Sequence, residues 1–172
     1  VYPEAVRLLA KEKSEAAVPI LCDMLTALPP ALAADLEALI VSVEESDRER
    51  EYKLAFFQAA CAMALRETGS DNAVLALASF ARRLLPELKP NIETGNYPAY
   101  LVAFREACIS LVLLGEEDGV ALLMAALPDT PDKEPWVAQA LTMLTGVTFS
   151  PTYGPEDGHP ARVGRALREK WL

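Results

Sequence analysis

The single histidine, His159, follows two carboxylate residues closely in the sequence, and these residue types could do chemistry together. It follows Glu156 and Asp157 in the segment Tyr-Gly-Pro-Glu-Asp-Gly-His-Pro, and an imidazole beside two carboxylates could hold a cation or transfer protons as acid and base. The surrounding Pro and Gly residues are more simply explained as turn formers. We therefore predict no catalytic residue, no metal ligand and no cofactor, and we expect the protein not to be an enzyme.

Cysteine is the second reactive residue type, and it occurs at Cys22, Cys61 and Cys108. Each cysteine lies within an apolar pattern of helical spacing, and an odd number of cysteines does not match a disulfide framework. We predict three buried free thiols, with one disulfide plus one free thiol as the alternative. Because free thiols are typical of reducing compartments, we expect a cytoplasmic protein.

Charge and hydropathy exclude two kinds of partner. The chain has 16 Lys and Arg against 25 Asp and Glu, a net charge of −9, which repels the phosphate backbone of a nucleic acid. Arg162, Arg165 and Arg168 follow one side of the last predicted helix, where they also suit the dipole of its C-terminus. We predict no nucleic-acid partner. The near-apolar stretch 109–114, like every other in the chain, is far shorter than the roughly 20 residues that cross a bilayer, so we predict no membrane span.

The elements that position these residues are predicted to be helices, because apolar residues recur at spacings of three and four almost throughout. This pattern predicts an all-α fold of about nine helices, divided by prolines, glycines and capping residues. Turn residues dominate 86–98 and 151–160, which predicts two ordered loops. The predicted helices cover 3–10, 14–28, 31–46, 46–68, 70–85, 99–114, 116–127, 136–145 and 161–172.

The 172 residues are predicted to form a single domain, 1–172, since this length suits one hydrophobic core. The chain opens at Val1 without an initiator methionine. A removed signal peptide or upstream domain therefore stays an open alternative, in which case the chain is a fragment of a longer protein.

A repeat of 46 to 47 residues is the most informative feature of the sequence. The offset is 47 residues between Cys61 and Cys108, and 46 residues between Gly69 and Gly115. Each copy is a helix with small residues, a turn that contains Gly, and a second helix with Val and Leu three residues apart. Such a period indicates stacked units that bury their apolar faces against one another.

At these residues the sequence resembles the HEAT-repeat family of antiparallel helix pairs, and the end of the chain resembles the closing segment of many bacterial HEAT-like proteins. The resemblance implies an α-solenoid of stacked antiparallel pairs with a C-terminal capping helix. The segment 31–46 departs from the pattern, because it has no partner helix in the standard order. HEAT-like proteins are mostly scaffolds for other macromolecules, so the resemblance implies an interaction role.

Exposed aromatic residues and arginines near the predicted insertion are the candidates for partner binding, because such side chains dominate binding hot spots. Tyr100 and Phe104 are four residues apart, and packing in the core is the alternative for the aromatic candidates. The two arginines end a predicted helix, where contact with its last carbonyl groups is the alternative. The predicted partner-binding residues are Arg82, Arg83, Tyr97, Tyr100 and Trp136.

The function predicted from these features is a non-catalytic scaffold that binds a protein or peptide across a concave helical face. By analogy with the family, the second helices of the pairs, 14–28, 70–85 and 116–127, line that face. One alternative is a HEAT-like enzyme or cofactor-handling protein, either similar to the bilin lyases, with a large apolar cavity, or similar to a DNA glycosylase, with a basic groove. A structural spacer within a longer protein is the other alternative.

Overall fold

The computed structural model describes residues 6, 16–26, 47–94, 97–126, 140–141 and 144 of the 172. The described part is all-helical and contains no strand, which confirms the predicted all-α class. Its five helices begin and end within three residues of the predicted bounds, except that the helix that begins at Asp71 extends farther than predicted. They are α1 (Ala17–Thr26), α2 (Asp47–Thr68), α3 (Asp71–Glu93), α4 (Leu101–Leu113) and α5 (Asp118–Ala126).

The predicted helix ends at Gly69 and Gly115 are confirmed by their backbone geometry. Both glycines have positive φ angles, 64° and 93°, a region that side chains with a Cβ rarely enter. After α4, the N–H of Glu116 donates to Leu111 O at 3.0 Å and that of Gly115 donates to Val112 O at 2.9 Å. This is a Schellman motif, which satisfies the last carbonyl groups of the helix.

Ser70 begins α3 as predicted. Its hydroxyl oxygen accepts a hydrogen bond from the N–H of Asn72 at 3.2 Å, and so satisfies one of the backbone donors that a helix start leaves without a partner. Asp71 places a negative charge in the first turn, next to the positive end of the helix dipole. The turn between the two helices of the first repeat therefore contains a glycine that ends one helix and a serine that begins the next.

The prediction that the helix stops before Pro86 is wrong, because α3 continues through Pro86 and Pro90 to Glu93. A proline inside a helix removes one hydrogen bond and costs about 3 kcal/mol. Both prolines are exposed, so the carbonyl groups that lose their partners can bond to water. Leu88 and Ile92 are fully buried, and burying each such side chain contributes about 1.5–3 kcal/mol. The apolar face of the helix thus offsets the cost of its prolines.

The core lies where α2, α3 and α4 meet, with α1 and α5 packed on either side. α2 packs against α4, α3 packs against both α4 and α5, and α1 contacts α2 and α3. The repeat residues behave alike, since Cys61 and Cys108 are both fully buried, as are Leu77 and Leu123. The largest fully buried side chains are Leu21, Leu25, Leu65, Leu77, Phe80, Leu88, Ile92, Phe104, Leu111, Leu123 and Met124.

The predicted helices at 3–10, 31–46, 136–145 and 161–172 and the loop at 151–160, with His159, lie wholly or mostly outside the described residues. In the part of the chain that the structure describes, no helix combines the length and apolar character needed to cross a membrane.

Candidate partner-binding groove

A surface groove of about 360 Å³ runs between the first half of α2 and the start of α4. Its walls are mostly apolar and aromatic. Phe56 is 61% exposed and Tyr97 is 38% exposed, so two large rings face solvent here. The lining residues are Tyr52, Phe56, Tyr97, Pro98, Leu101, Val102 and Arg105. We call this set the α2–α4 groove.

The wall on α2 follows from helical spacing. Tyr52 and Phe56 are four residues apart, so they lie one above the other on the same face of the helix. Another side of α2 is covered by its neighbours, with Ala55, Cys61 and Leu65 all fully buried. The stripe with Tyr52 and Phe56 is therefore the side of α2 that its neighbouring helices leave uncovered.

The opposite wall is held by the first turn of α4. The N–H of Leu101 donates to Pro98 O at 3.1 Å, which ties the segment before the helix to its first residue. Ala99 and Phe104 are buried in the core, and they anchor this turn from below. Tyr97 and Pro98 are consequently fixed at the mouth of the groove, with Leu101 at its base.

An ion pair lies farther along the same two helices. Arg66 Nη1 of α2 is 3.5 Å from Glu106 Oε1 of α4. Tyr52 and Phe56 meet the start of α4, whereas Arg66 meets its middle, so α2 and α4 run side by side in the same direction. Burial raises the pKa of Glu106, although Arg66 and Arg105 both act to lower it.

Of the predicted partner-binding residues, the structure places Tyr97 in the groove. Tyr100 lies nearby but is partly buried and does not line the groove. Its hydroxyl accepts a hydrogen bond from Asn91 Nδ2 at 3.3 Å, and burial raises its pKa. Phe104 is fully buried, so the alternative of core packing is correct for this residue. Trp136 lies outside the described residues.

The two predicted arginines have intramolecular partners on different helices. Arg82 forms an ion pair with Asp118, the first residue of α5. Arg83 donates from Nη2 to Thr26 O at the end of α1, at 3.3 Å, and its guanidinium lies 5.7 Å from the ring centre of Phe80. Both arginines are exposed, and neither lines the groove.

The sequence prediction missed Tyr52, Phe56 and Arg105. The signal for the two aromatics was present, because they form one stripe on the side of α2 roughly opposite Cys61. Phe57 and the many alanines of α2 obscured it, since a helix that packs on several sides has no single apolar face. The position of Arg105 depends on which side of α4 meets α2, and this is not visible in the sequence.

The thiols offer little chemistry. Cys61 and Cys108 are buried free thiols as predicted, and burial raises the pKa of Cys61 to about 12 and also raises that of Cys108. Cys22 is only half-buried, so the prediction of three buried thiols is wrong there. Among the described residues, no group of three His, Cys, Asp or Glu side chains could hold a metal ion.

No family model matches the sequence, and no curated protein or solved structure is significantly similar to it. The resemblance to HEAT repeats thus stays a prediction that depends on the repeat residues.

Proposed function

We propose that the protein is a non-catalytic interaction module that binds a partner protein at the α2–α4 groove. The exposure of Phe56 carries this proposal. A phenylalanine that is 61% exposed, beside two tyrosines in the same depression, forms a surface that gains free energy when an apolar group covers it.

The size of the groove suits the insertion of a side chain. Ligand sites usually enclose about 300–1,000 Å³, and the groove, at about 360 Å³, is near the lower end of that range. Aromatic residues with large, rigid contact surfaces are enriched among the few residues that dominate binding free energies. One or two apolar side chains of a partner fill such a site, with weaker contacts around them.

The helices behind the groove act in this proposal as a scaffold of HEAT-like antiparallel pairs. Three observations support the stack: the equivalent glycine turns at Gly69 and Gly115, the packing of α2 on α4, and that of α3 on α5. The groove lies on the first helices of the two pairs. It therefore differs from the surface of second helices that the family analogy predicts, and partner binding by the second helices stays a prediction.

Capture of partners from a lysate of the source cell tests the proposal when it is done with matched variants. The bait is the wild-type chain, Phe56→Asp, or Leu75→Asp. Leu75 lies on α3 and is 65% exposed, so its variant adds the same charge to another exposed apolar position. We expect partners that bind the wild type and the Leu75 variant and are lost with Phe56→Asp. Identical capture by all three chains would refute the groove as the binding site.

A further inference from the structure

The two walls of the groove continue along their helices. Phe56 and Met63 are seven residues apart on α2, which is nearly two full turns, so they lie on the same face of that helix. Val102 and Ile109 have the same spacing on α4. Because Phe56 and Val102 line the groove, the other two residues extend its walls toward the C-terminal ends of the two helices.

The extended walls occupy equivalent positions in the repeat. The offset from Phe56 to Val102 is 46 residues, and so is the offset from Met63 to Ile109. Since α2 and α4 run side by side in the same direction, the two walls run alongside each other. One further pair of residues at the same offset ends them. We call the whole set the α2–α4 valley, and it consists of Phe56, Met63, Glu67, Val102, Ile109 and Leu113.

The valley presents a row of exposed apolar side chains. Phe56 is 61% exposed, Met63 is 43% exposed and Leu113 is 60% exposed, and Val102 and Ile109 are half-buried between them. Single exposed apolar residues are common on protein surfaces, whereas a contiguous group of them marks an interaction site.

The length and shape of the valley suit a helix. Each wall spans eleven residues, from Phe56 to Glu67 and from Val102 to Leu113, which corresponds to about three turns or about 16 Å of helix rise. The depression between two helices that lie side by side accepts the ridge of side chains of a third helix. An amphipathic helix that docks in this way contributes apolar side chains at i, i+3 or i+4, and i+7.

Carboxylates lie at the far end of the valley. Glu67 ends the wall on α2, one residue before the end of that helix, and Glu116 and Glu117 lie between the end of α4 and the start of α5. All three are exposed. Because α2 and α4 run in the same direction, these carboxylates are at the same end, where they favour a cationic group of a partner.

The arginines of α2 and α4 near the valley act within the chain. Arg66 forms an ion pair with Glu106 at 3.5 Å, and Arg105 also interacts within the chain and acts on the same carboxyl. The net charge of the chain is −9, so its overall field attracts a basic partner. A second copy of this chain has the same negative charge and is repelled on approach.

From these features we propose that the α2–α4 valley binds an amphipathic helix of a partner protein, with the apolar face of that helix on Phe56, Met63 and Leu113 and with Lys or Arg residues at the end near Glu67. This inference rests on the proposed function, because it specifies the segment of the partner that occupies the groove. It extends the binding surface beyond the groove to residues that can be tested separately from Phe56.

Selection from a displayed library of helical peptides on the full wild-type chain tests the inference. We expect the enriched peptides to share large apolar residues at helical spacing and an excess of Lys and Arg at one end. Circular dichroism shows whether an enriched peptide is helical, and a proline in the middle of the peptide should abolish binding, since it breaks the helix.

The affinity of one enriched peptide is then measured by fluorescence anisotropy for variants of the valley. Met63→Asp and Leu113→Asp should each weaken binding about tenfold or more, as for residues at the centre of an interface. Leu75→Asp is the matched control, because Leu75 is 65% exposed on α3, outside the valley. Its affinity should stay within about twofold of the wild type.

A charge reversal tests the acidic end. Glu67→Lys should weaken binding about threefold or more at low salt and less at high salt, as expected for an exposed ion pair. A peptide in which one Lys or Arg of the basic end is replaced by Glu should bind Glu67→Lys better than it binds the wild type. Asp23→Lys is the control, because Asp23 is an exposed carboxylate on α1 and its variant changes the net charge equally.

The outcomes separate this inference from the proposed function. Peptides that need Phe56 but bind Met63→Asp and Leu113→Asp as tightly as the wild type would overturn the inference and leave the proposed function standing. So would peptides without basic residues, equal effects of Glu67→Lys and Asp23→Lys, or a selection that enriches no helical peptide. Peptides that bind Phe56→Asp as tightly as the wild type would overturn both.

Two further measurements complete the test. Analytical ultracentrifugation of the protein alone should show a monomer, and a dimer that Met63→Asp disrupts would assign the valley to a second copy and overturn the inference. Thermal unfolding of each variant confirms that a lost affinity reflects the valley and not a loss of folded protein.

Discussion

Arg66 of α2 and Glu106 of α4 form an ion pair in which only 24% and 17% of the two side chains are exposed. The pair joins the two helices that build the groove. Desolvation is the largest influence on Glu106, and it raises the pKa of this carboxyl although two arginines act in the opposite direction. The ion pair therefore adds little to the free energy of unfolding, because desolvation offsets the attraction between the two charges.

Glu106→Gln tests whether desolvation outweighs the two arginines in setting the pKa of Glu106. Because the pKa of Glu106 is raised in the folded protein, the folded state holds the proton more tightly than the unfolded state. The stabilising contribution of Glu106 is fully present below its ordinary pKa of 4.5. It is lost as the pH rises through the pKa of Glu106 in the folded protein. Chemical denaturation at a series of pH values from 4.5 upward should show the variant gaining stability relative to the wild type as the pH rises.

Glu67→Gln is the control for Glu106→Gln, because Glu67 is exposed on α2 and its replacement removes one negative charge from the surface. At neutral pH we expect Glu106→Gln to lie within about 1 kcal/mol of the wild type. A stability difference that moves in the other direction with pH would contradict the account of Glu106.

Gly119→Ala should destabilise the protein by about 1–3 kcal/mol, as overpacking generally does. A Cβ at this position would lie 2.4 Å from Cys108 O and 2.7 Å from Val112 Cγ2. Because one of these atoms belongs to the backbone of α4, relief requires α4 and α5 to move apart. Thermal unfolding measures the effect, with the exposed Ser79→Ala as the control, and equal melting temperatures for the two variants would show that α5 does not pack so closely on α4.

Leu77→Ala and Leu123→Ala should each cost about 2–5 kcal/mol, the usual cost of a cavity in a core. The two leucines hold equivalent positions in the repeat, and both are fully buried. Leu75→Ala is the matched control, since Leu75 lies two residues from Leu77 on α3 and is 65% exposed; its change should be within about 0.5 kcal/mol. Urea denaturation gives all three values, and three small, equal losses would refute the helix faces described.

The thiols should differ in their reaction with a thiol reagent. Cys61 and Cys108 are fully buried, and with the pKa of Cys61 raised to about 12 almost none of that thiol is ionised at neutral pH. Cys22 is half-buried, and burial and Asp23 raise its pKa. We expect slow labelling of Cys22 in the folded protein, and labelling of Cys61 and Cys108 only after denaturant is added. Mass spectrometry identifies each site, and fast native labelling of Cys61 would contradict its burial.

The helices could be predicted from the sequence because the signals that define them are local. Apolar spacing of three and four, the serine at position 70 and the glycines at 69 and 115 act within a few residues of where they stand. The end of α3 could not be predicted in this way. Whether Pro86 terminates a helix depends on how much apolar surface Leu88 and Ile92 bury against other helices, and this depends on contacts far apart in the sequence.

The groove was only partly predictable for the same reason. Tyr97 could be found because it lies beside a cluster of turn residues, where exposed aromatics are frequent. Tyr52 and Phe56 lie in the middle of a long helix, and only the packing of α2 on its neighbours shows which stripe stays uncovered. Arg82 was predicted, like Tyr97, from its place near the predicted insertion. In the structure its guanidinium forms an ion pair with Asp118 of the same chain.

The affinity of a captured partner for the wild type, Phe56→Ala and Leu75→Ala tests the central claim most directly. Both side chains are exposed, at 61% and 65%, so neither truncation should change stability by more than about 0.5 kcal/mol. Removal of a hot-spot aromatic costs about 2 kcal/mol or more, which corresponds to about thirtyfold in the dissociation constant. We predict that loss for Phe56→Ala and no change for Leu75→Ala; equal dissociation constants for all three chains would contradict the assignment of the groove as the binding site.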